Sequence, residues 1–398
     1  MPPQNRLTFS YYQMIQNYQD IFNDLNLFEL ILITVFGVLF LLRLMYLFLF
    51  TGRVLFRKKT KNTDDEKIPL SLIQIIRNEE EHLKKNLPKI LSLESVNFEM
   101  VVVDDYSQDN SYLVLGLLKD RYKRLTISSL NQETKFSVKL AQNIAIKATK
   151  NRWILTVPVS LAEVTAKWLD NISQAATSKK NVVIGYSTVA RTKGFYNRLI
   201  RIEKYFAHLK STGYILNGIP FVYSDENVAF KKEKYFEIGG YGQKITDHYA
   251  NLELIINSFI RKKATTILFN KESSVRKSET IKRADYFELL KKNIRIESHL
   301  SVLKRVILFF DTLVKLLFLP TAIFVIVLLP ELWIVFVSLL GFIFTSYLFI
   351  IKITQNRLNE RKIFIPSLVY DLLMPYYKLF YRWYFNRRSR KNRWKSRV

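Results

Sequence analysis

The chain has 398 residues and no cysteine, which excludes disulfides and thiolate metal centres. Lysine and arginine number 61 against 34 acids, a net charge of +27, so an anionic partner is expected, either nucleic acid or anionic lipid. Long apolar runs decide for lipid and against nucleic acid.

The first run, Leu27 to Phe50, is long enough to cross a bilayer core, which takes about 20 apolar residues. No basic segment precedes it and no small-residue cleavage site follows, so it reads as a retained anchor rather than a signal peptide. Arg53, Arg57, Lys58, Lys59 and Lys61 follow it, whereas Arg6 is the only cation before it. The excess of positive charge predicts residues 1–26 outside the membrane, residues 27–50 as the span, and a basic linker over 51–66 on the cytoplasmic side.

From residue 67 to 302 strand-like and helix-like stretches alternate. "PLSLIQII" precedes a helical pattern over Glu79–Leu91, and "MVVV" precedes "SYLVLGLLKDRY". "RLTISSL" precedes a helix over Lys135–Ala148, and "WILTVPV" precedes "EVTAKWLDNISQAA", with "NVVIGYSTV" as a further strand. Repeated strand-then-helix units predict an α/β domain with a mostly parallel sheet and helices on both faces. Such sheets bind ligands beyond their carboxyl ends. The informative positions are therefore Arg77-Asn78-Glu79, Asp104-Asp105 and the end of "WILTVPVS". No phosphate-binding glycine loop is present, and the four histidines are scattered without metal-ligand spacing.

Residues 303–351 read as a membrane hairpin, with apolar runs Val306–Pro330 and Leu332–Ile351 broken at Pro330 and Glu331. Lys304, Arg305, Lys352, Arg357, Arg361 and Lys362 flank its open end and place that end in the cytoplasm. Asp311 and Lys315, spaced i, i+4, are expected to pair on one helix face. The last run, Ile363–Phe385, is interrupted by Pro366, Asp371, Pro375, Lys378 and Arg382 and is rich in tyrosine. Residues 352–398 are therefore read as an interfacial aromatic helix and a basic cytoplasmic tail facing anionic lipid, with a fourth span as the alternative. The whole is a multi-pass protein of the inner, cytoplasmic membrane with its main domain in the cytoplasm.

"IIRNEEEHLKKNL" followed by "EMVVVDDYSQDNS" resembles the opening of the family 2 glycosyltransferases, which have the GT-A fold. "SVKLAQNIAIKAT", with Ala141, Asn143 and Ala148, resembles the next family element, and "DENVAFKKEKYFEIGGYG" the acceptor-side element. The resemblance implies a domain that binds a nucleotide-diphosphate sugar and transfers the sugar, with inversion, to a lipid-linked or growing glycan acceptor. It implies a nucleotide site at Arg77, Asn78, Glu79, Asp104, Asp105 and Lys139, with Asp105 on the base or ribose. Lys135 and Arg295 are the available phosphate or acceptor cations.

The family's second acidic motif, which binds Mg or Mn, falls here at Pro158 and Ser160. Proline offers no ligand and a hydroxyl is a poor one for these ions, so the usual metal lacks its usual acids. Glu163, Asp225 and Glu226 are the nearest alternatives. The acids expected after "GGYG" are displaced, leaving Asp247 or His248 as the base. Two readings follow. One is a membrane glycosyltransferase. The other is a catalytically inactive relative that serves as a binding or scaffold partner of other glycan-synthesis membrane proteins.

Overall fold

A computed structural model describes residues 25–56, 67–133, 136–161, 164–247 and 249–395. The elements are, in chain order, α1 (Leu27–Met45), β1 (Leu70–Ile76), α2 (Glu80–Leu91), β2 (Phe98–Asp104) and α3 (Ser111–Arg121). There follow β3 (Leu125–Ser129), α4 (Ser137–Ala148), β4 (Trp153–Thr156), α5 (Ala166–Ala175), β5 (Val182–Ile184), β6 (Ser187–Val189) and α6 (Phe195–Leu216). The remainder are β7 (Val228–Lys231), α7 (Lys232–Glu237), α8 (Leu252–Phe259), β8 (Thr265–Ile267), β9 (Val275–Lys277), α9 (Arg283–Ser298), α10 (Val302–Leu328), α11 (Trp333–Arg357) and α12 (Phe364–Lys395). The chain divides into two compact units, residues 49–306 with 350–370, and residues 1–48 with 307–349 and 371–398.

In the first unit the described residues form a seven-stranded sheet ordered β3-β2-β1-β4-β7-β5-β8. β1, β2, β3 and β4 run parallel, as the repeated strand-then-helix pattern predicts, and β7 runs antiparallel to β4 and β5. Successive residues of β2 alternate between two cores. Met100 and Val102 join Leu83, Leu87 and Leu169 on one face, while Val101 and Val103 join Ala141, Ile146 and Ile255 on the other. Helices therefore cover both faces, and β1, β2 and β4 are almost wholly buried, while β3 at the edge of the sheet is only partly covered.

The structure splits "NVVIGYSTV" into two strands. β5 stays in the main sheet, and β6 leaves it to pair with β9. The break lies at Gly185-Tyr186. A Cβ at Gly185 would fall 2.2 Å from Asn227 Nδ2 and 2.9 Å from the Ser273 carbonyl, so only glycine admits this close approach. Asn227, at φ 57°, completes the joint by accepting from Trp168 Nε1 at 2.9 Å and donating to the Tyr186 carbonyl at 3.0 Å.

Residues 350–370 belong with the α/β domain. Glu360 is buried, pairs with Arg201 and accepts from the Tyr186 hydroxyl at 2.9 Å. The Tyr205 and Thr354 hydroxyls lie 2.6 Å apart.

In the second unit Phe36 stacks on Phe318 at 5.9 Å and meets Phe336 edge-on at 5.2 Å. Among the described residues three helical stretches, Leu27–Val54, Val302–Leu328 and Pro330–Arg357, are long and apolar enough to cross a membrane. The expected Asp311–Lys315 pair gives way to another arrangement. Lys315 reaches Asp371 at 3.1 Å, and Arg43 reaches the same carboxylate at 3.4 Å. One acid of α12 thus draws both cations, because a carboxylate offers two oxygens to two donors.

Candidate functional site

The carboxyl ends of β1 and β2 lie in register, Ile76 opposite Asp104, so the two predicted motifs meet at one rim. Asn78 and Tyr106 hold φ of 55° and 59°, and asparagine tolerates this left-handed region better than most residues. The two turns clasp each other. Asn78 N–H donates to Ser107 Oγ at 2.9 Å, and Gln108 N–H donates to Asn78 Oδ1 at 2.7 Å. Glu79 N–H donates to Ser111 Oγ at 2.8 Å. Asp104 accepts from the Ser107 N–H at 3.3 Å and from its hydroxyl, so this first acid is spent on the turn. Asp105 differs. It is 1% exposed, its N–H bonds to the Ile76 carbonyl at 2.8 Å, and its carboxylate adds to the hold on the Arg77 guanidinium. Arg77 also pairs with Glu133 at 2.6 Å. Arg77, Asn78, Glu79, Asp104 and Asp105 therefore lie together at one rim.

Glu79 leads further along the rim. Its carboxylate lies 2.6 Å from His82 Nδ1, and His82 Nε2 lies 3.2 Å from the Ser278 carbonyl. Ser278 N–H in turn donates to the Ser160 carbonyl at 2.6 Å, and Leu161 bridges Lys277 in antiparallel fashion. β4 ends at Thr156, just before Pro158, whose carbonyl accepts from Gln74 Nε2 at 3.0 Å. Ser160 Oγ donates to Glu279 at 2.5 Å.

Around this point acids and lysines alternate. Lys277 Nζ lies 3.0 Å from Glu279 and 2.9 Å from Glu226, and Lys204 Nζ lies 2.7 Å from the other Glu226 oxygen. Lys292 Nζ lies 3.3 Å from Asp225 and 3.1 Å from Glu253. Burial opposes the charge on Glu226, but Lys204 and Lys277 hold its carboxyl well below the usual carboxylate range. Lys277 is raised despite burial, by Glu226 and then Glu279. Burial, and then Asp225, pushes the Glu253 carboxyl up to about 7. Lys204, Glu226, Lys277, Lys292, Tyr186 and Tyr223 line a cavity of about 200 Å³.

Asp225 and Glu226 were the alternative metal ligands, and both are committed to lysines. No group of three His, Asp or Glu able to hold a metal occurs among the described residues. Pro158 and Ser160 supply no carboxylate in its place. The described residues at this rim, with Asp225 and Glu226 tied to lysines, do not fit the divalent metal that the family motif implies.

The third expected region is the turn after α7. Asp247 pairs with Arg295 and accepts N–H donors from Tyr249 and Ala250, each at 3.1 Å. Burial pushes its carboxyl up, but the Arg295 hydrogen bond and these N–H groups prevail and hold it below its ordinary value. His299 Nε2 lies 3.6 Å away. Asp247 and Arg295, predicted separately as base and anion-binding cation, are therefore partners. Lys139 is a correction to the sequence reading. Its ammonium donates to the Lys244 carbonyl at 2.8 Å, to Ile245 at 3.3 Å and to Asp247. An ammonium has three N–H donors, so this loop leaves none for a nucleotide. Lys135, Glu163 and His248 lie outside the described residues.

Sequence reasoning missed Lys204, Glu253, Lys277, Glu279 and Lys292. Lys277 and Glu279 carried a signal, because residues two apart on an extended segment share a face. The others come from α6, α8 and α9, and only the fold brings them together.

Residues 71–239 match the family "Glycosyl transferase family 2". No curated protein matches the chain. Among solved structures, the mannosyltransferase PcManGT from Pyrobaculum calidifontis, with GDP-Man and Mn2+, is similar at 18% identity and a TM-score of 0.49, over 87% of this chain and 99% of that one. S. aureus TarS 1-349, with UDP, is similar at 14% identity and a TM-score of 0.41, over 63% and 71% of the two chains. Glucosyl-3-phosphoglycerate synthase from Mycobacterium tuberculosis, with Mn2+, UDP and glucosyl-3-phosphoglycerate, is similar at 14% identity and a TM-score of 0.36, over 57% and 77% of the two chains. Residues 71–239, which carry the match to glycosyl transferase family 2, hold the motif-bearing rim at the ends of β1 and β2 in a mostly parallel sheet.

Proposed function

We propose that this protein takes a sugar from a nucleotide-diphosphate sugar and transfers it to a lipid-linked or growing glycan acceptor at the cytoplasmic face of the membrane. The observation that carries this reading is the clasped rim of β1 and β2, with Asp105 buried at its centre in a family 2 domain. Asp105 contacts the base or ribose, where a carboxylate accepts N–H or O–H donors, and Arg77 and Glu79 border the base. The apolar helices at both ends keep the domain where a lipid-linked acceptor lies. In the transfer, the bond between the sugar's anomeric carbon and the diphosphate oxygen breaks. The acceptor oxygen bonds to that carbon, and its proton passes to Asp247. Arg295 keeps Asp247 ionised, ready to accept that proton, at the cost of basicity.

The same pairing favours a second reading, a nucleotide-binding partner of a glycan synthase without turnover of its own. A carboxylate held this firmly as an anion is a weak proton acceptor. Turnover separates the two. Native membranes holding the full chain are supplied with UDP-sugars and GDP-sugars, and release of the nucleoside diphosphate is followed. Transfer reduced about 10²–10⁴-fold by Asp247→Asn supports the enzyme. Donor binding without release in the wild type supports the partner.

A further inference from the structure

The rim at the end of β4 has lost its metal-binding carboxylates, yet it is not short of positive charge. Ser160, Glu279, Lys277, Glu226 and Lys204 form one unbroken series of contacts, each between 2.5 and 3.0 Å. The series holds two carboxylates and two ammoniums, and its net charge is zero. A pair of carboxylates with one divalent ion has the same charge. An ammonium differs from an ion in two respects: it points N–H donors in fixed directions, and it cannot dissociate. Among the described residues the ion pairs occupy two of the three N–H donors of Lys277 and one of those of Lys204. Both side chains line the cavity, so each has donors to offer an anion entering it. Through Ser278, His82 and Glu79 this cluster shares one rim with Asp105.

We infer that Lys277, supported by Lys204, is the fixed cation of the donor site and binds the diphosphate in place of a divalent metal, so that donor binding needs no metal at all. Glu226 and Glu279 position the ammonium as metal ligands would position an ion. The inference rests on the donor site proposed above.

The test is the binding of fluorescent UDP and GDP to the purified full chain in detergent, in EDTA and in Mn2+. Equal affinity in both conditions is expected, with a loss of about 10- to 100-fold in Lys277→Met and recovery in Lys277→Arg. Binding that requires Mn2+ overturns the inference and leaves the proposed donor site standing. Unchanged affinity in Lys277→Met also overturns it. Absence of binding in both conditions removes the donor site itself. Lys277→Met leaves Glu226 with a single partner, so Lys277→Met/Glu226→Gln, which removes both charges together, is measured beside it. Wild-type affinity in a folded double variant contradicts the role of Lys277.

Discussion

Two acids of one domain titrate in opposite senses, and each sense is testable. Asp247 is held below its ordinary value: burial works against it, and Arg295 with two N–H groups prevails. Its contribution to stability is present above the unfolded value of about 4 and is lost as the pH falls through the folded value. Arg295 is 42% exposed, which moderates the expected loss in Arg295→Met to about 1–2 kcal/mol at pH 7. Thermal midpoints should show the gap to wild type closing below about pH 4. Glu253 behaves inversely. Burial, then Asp225, raises its carboxyl to about 7, so the folded chain keeps a proton that the unfolded chain has released. Stability therefore falls as the pH rises from about 4 to 7, and Glu253→Gln should flatten that slope. An unchanged slope would show that Glu253 is ionised throughout. Lys139 teaches a related lesson at this scale. A lysine in a recognisable motif looked like a nucleotide ligand, but its three donors belong to a loop, and no spacing along the chain records where carbonyls will lie.

At the scale of elements, the first half of the domain was legible because its strands are short apolar runs ending at rim residues. β1 and the helix after it fall where "PLSLIQII" and Glu79–Leu91 place them, with Glu79 as the helix cap rather than its first residue. The split of "NVVIGYSTV" was not legible, since nothing in an apolar run says that its two ends pair with different partners. That depends on Asn227 and Ser273 closing on Gly185 from distant parts of the chain. Gly185→Ala should cost about 1–3 kcal/mol through overpacking at this joint. A midpoint equal to wild type would mean that the joint relaxes freely. The acid and lysine series fared likewise. The missing second acidic motif was visible in the sequence, but its replacement was not, because Lys204, Glu226 and Lys277 come from three different segments.

For the whole molecule, the absence of cysteine turns topology into a clean labelling experiment. The proposed orientation puts the turn at Pro330 and Glu331 outside and the α/β domain inside. An impermeant maleimide added to intact cells should label Glu331→Cys and leave Asp120→Cys unlabelled until the cells are opened. The reverse pattern would place the domain outside, away from cytoplasmic nucleotide sugars. The central claim is a nucleotide site at the rim of β1 and β2, and both readings of the function share it. It is tested most directly by titrating UDP and GDP into the purified full chain beside Asp105→Ala. The account predicts saturable binding of at least one nucleotide, weakened about 10- to 100-fold when Asp105 is removed. Equal binding by wild type and Asp105→Ala, or no binding by either, would contradict it.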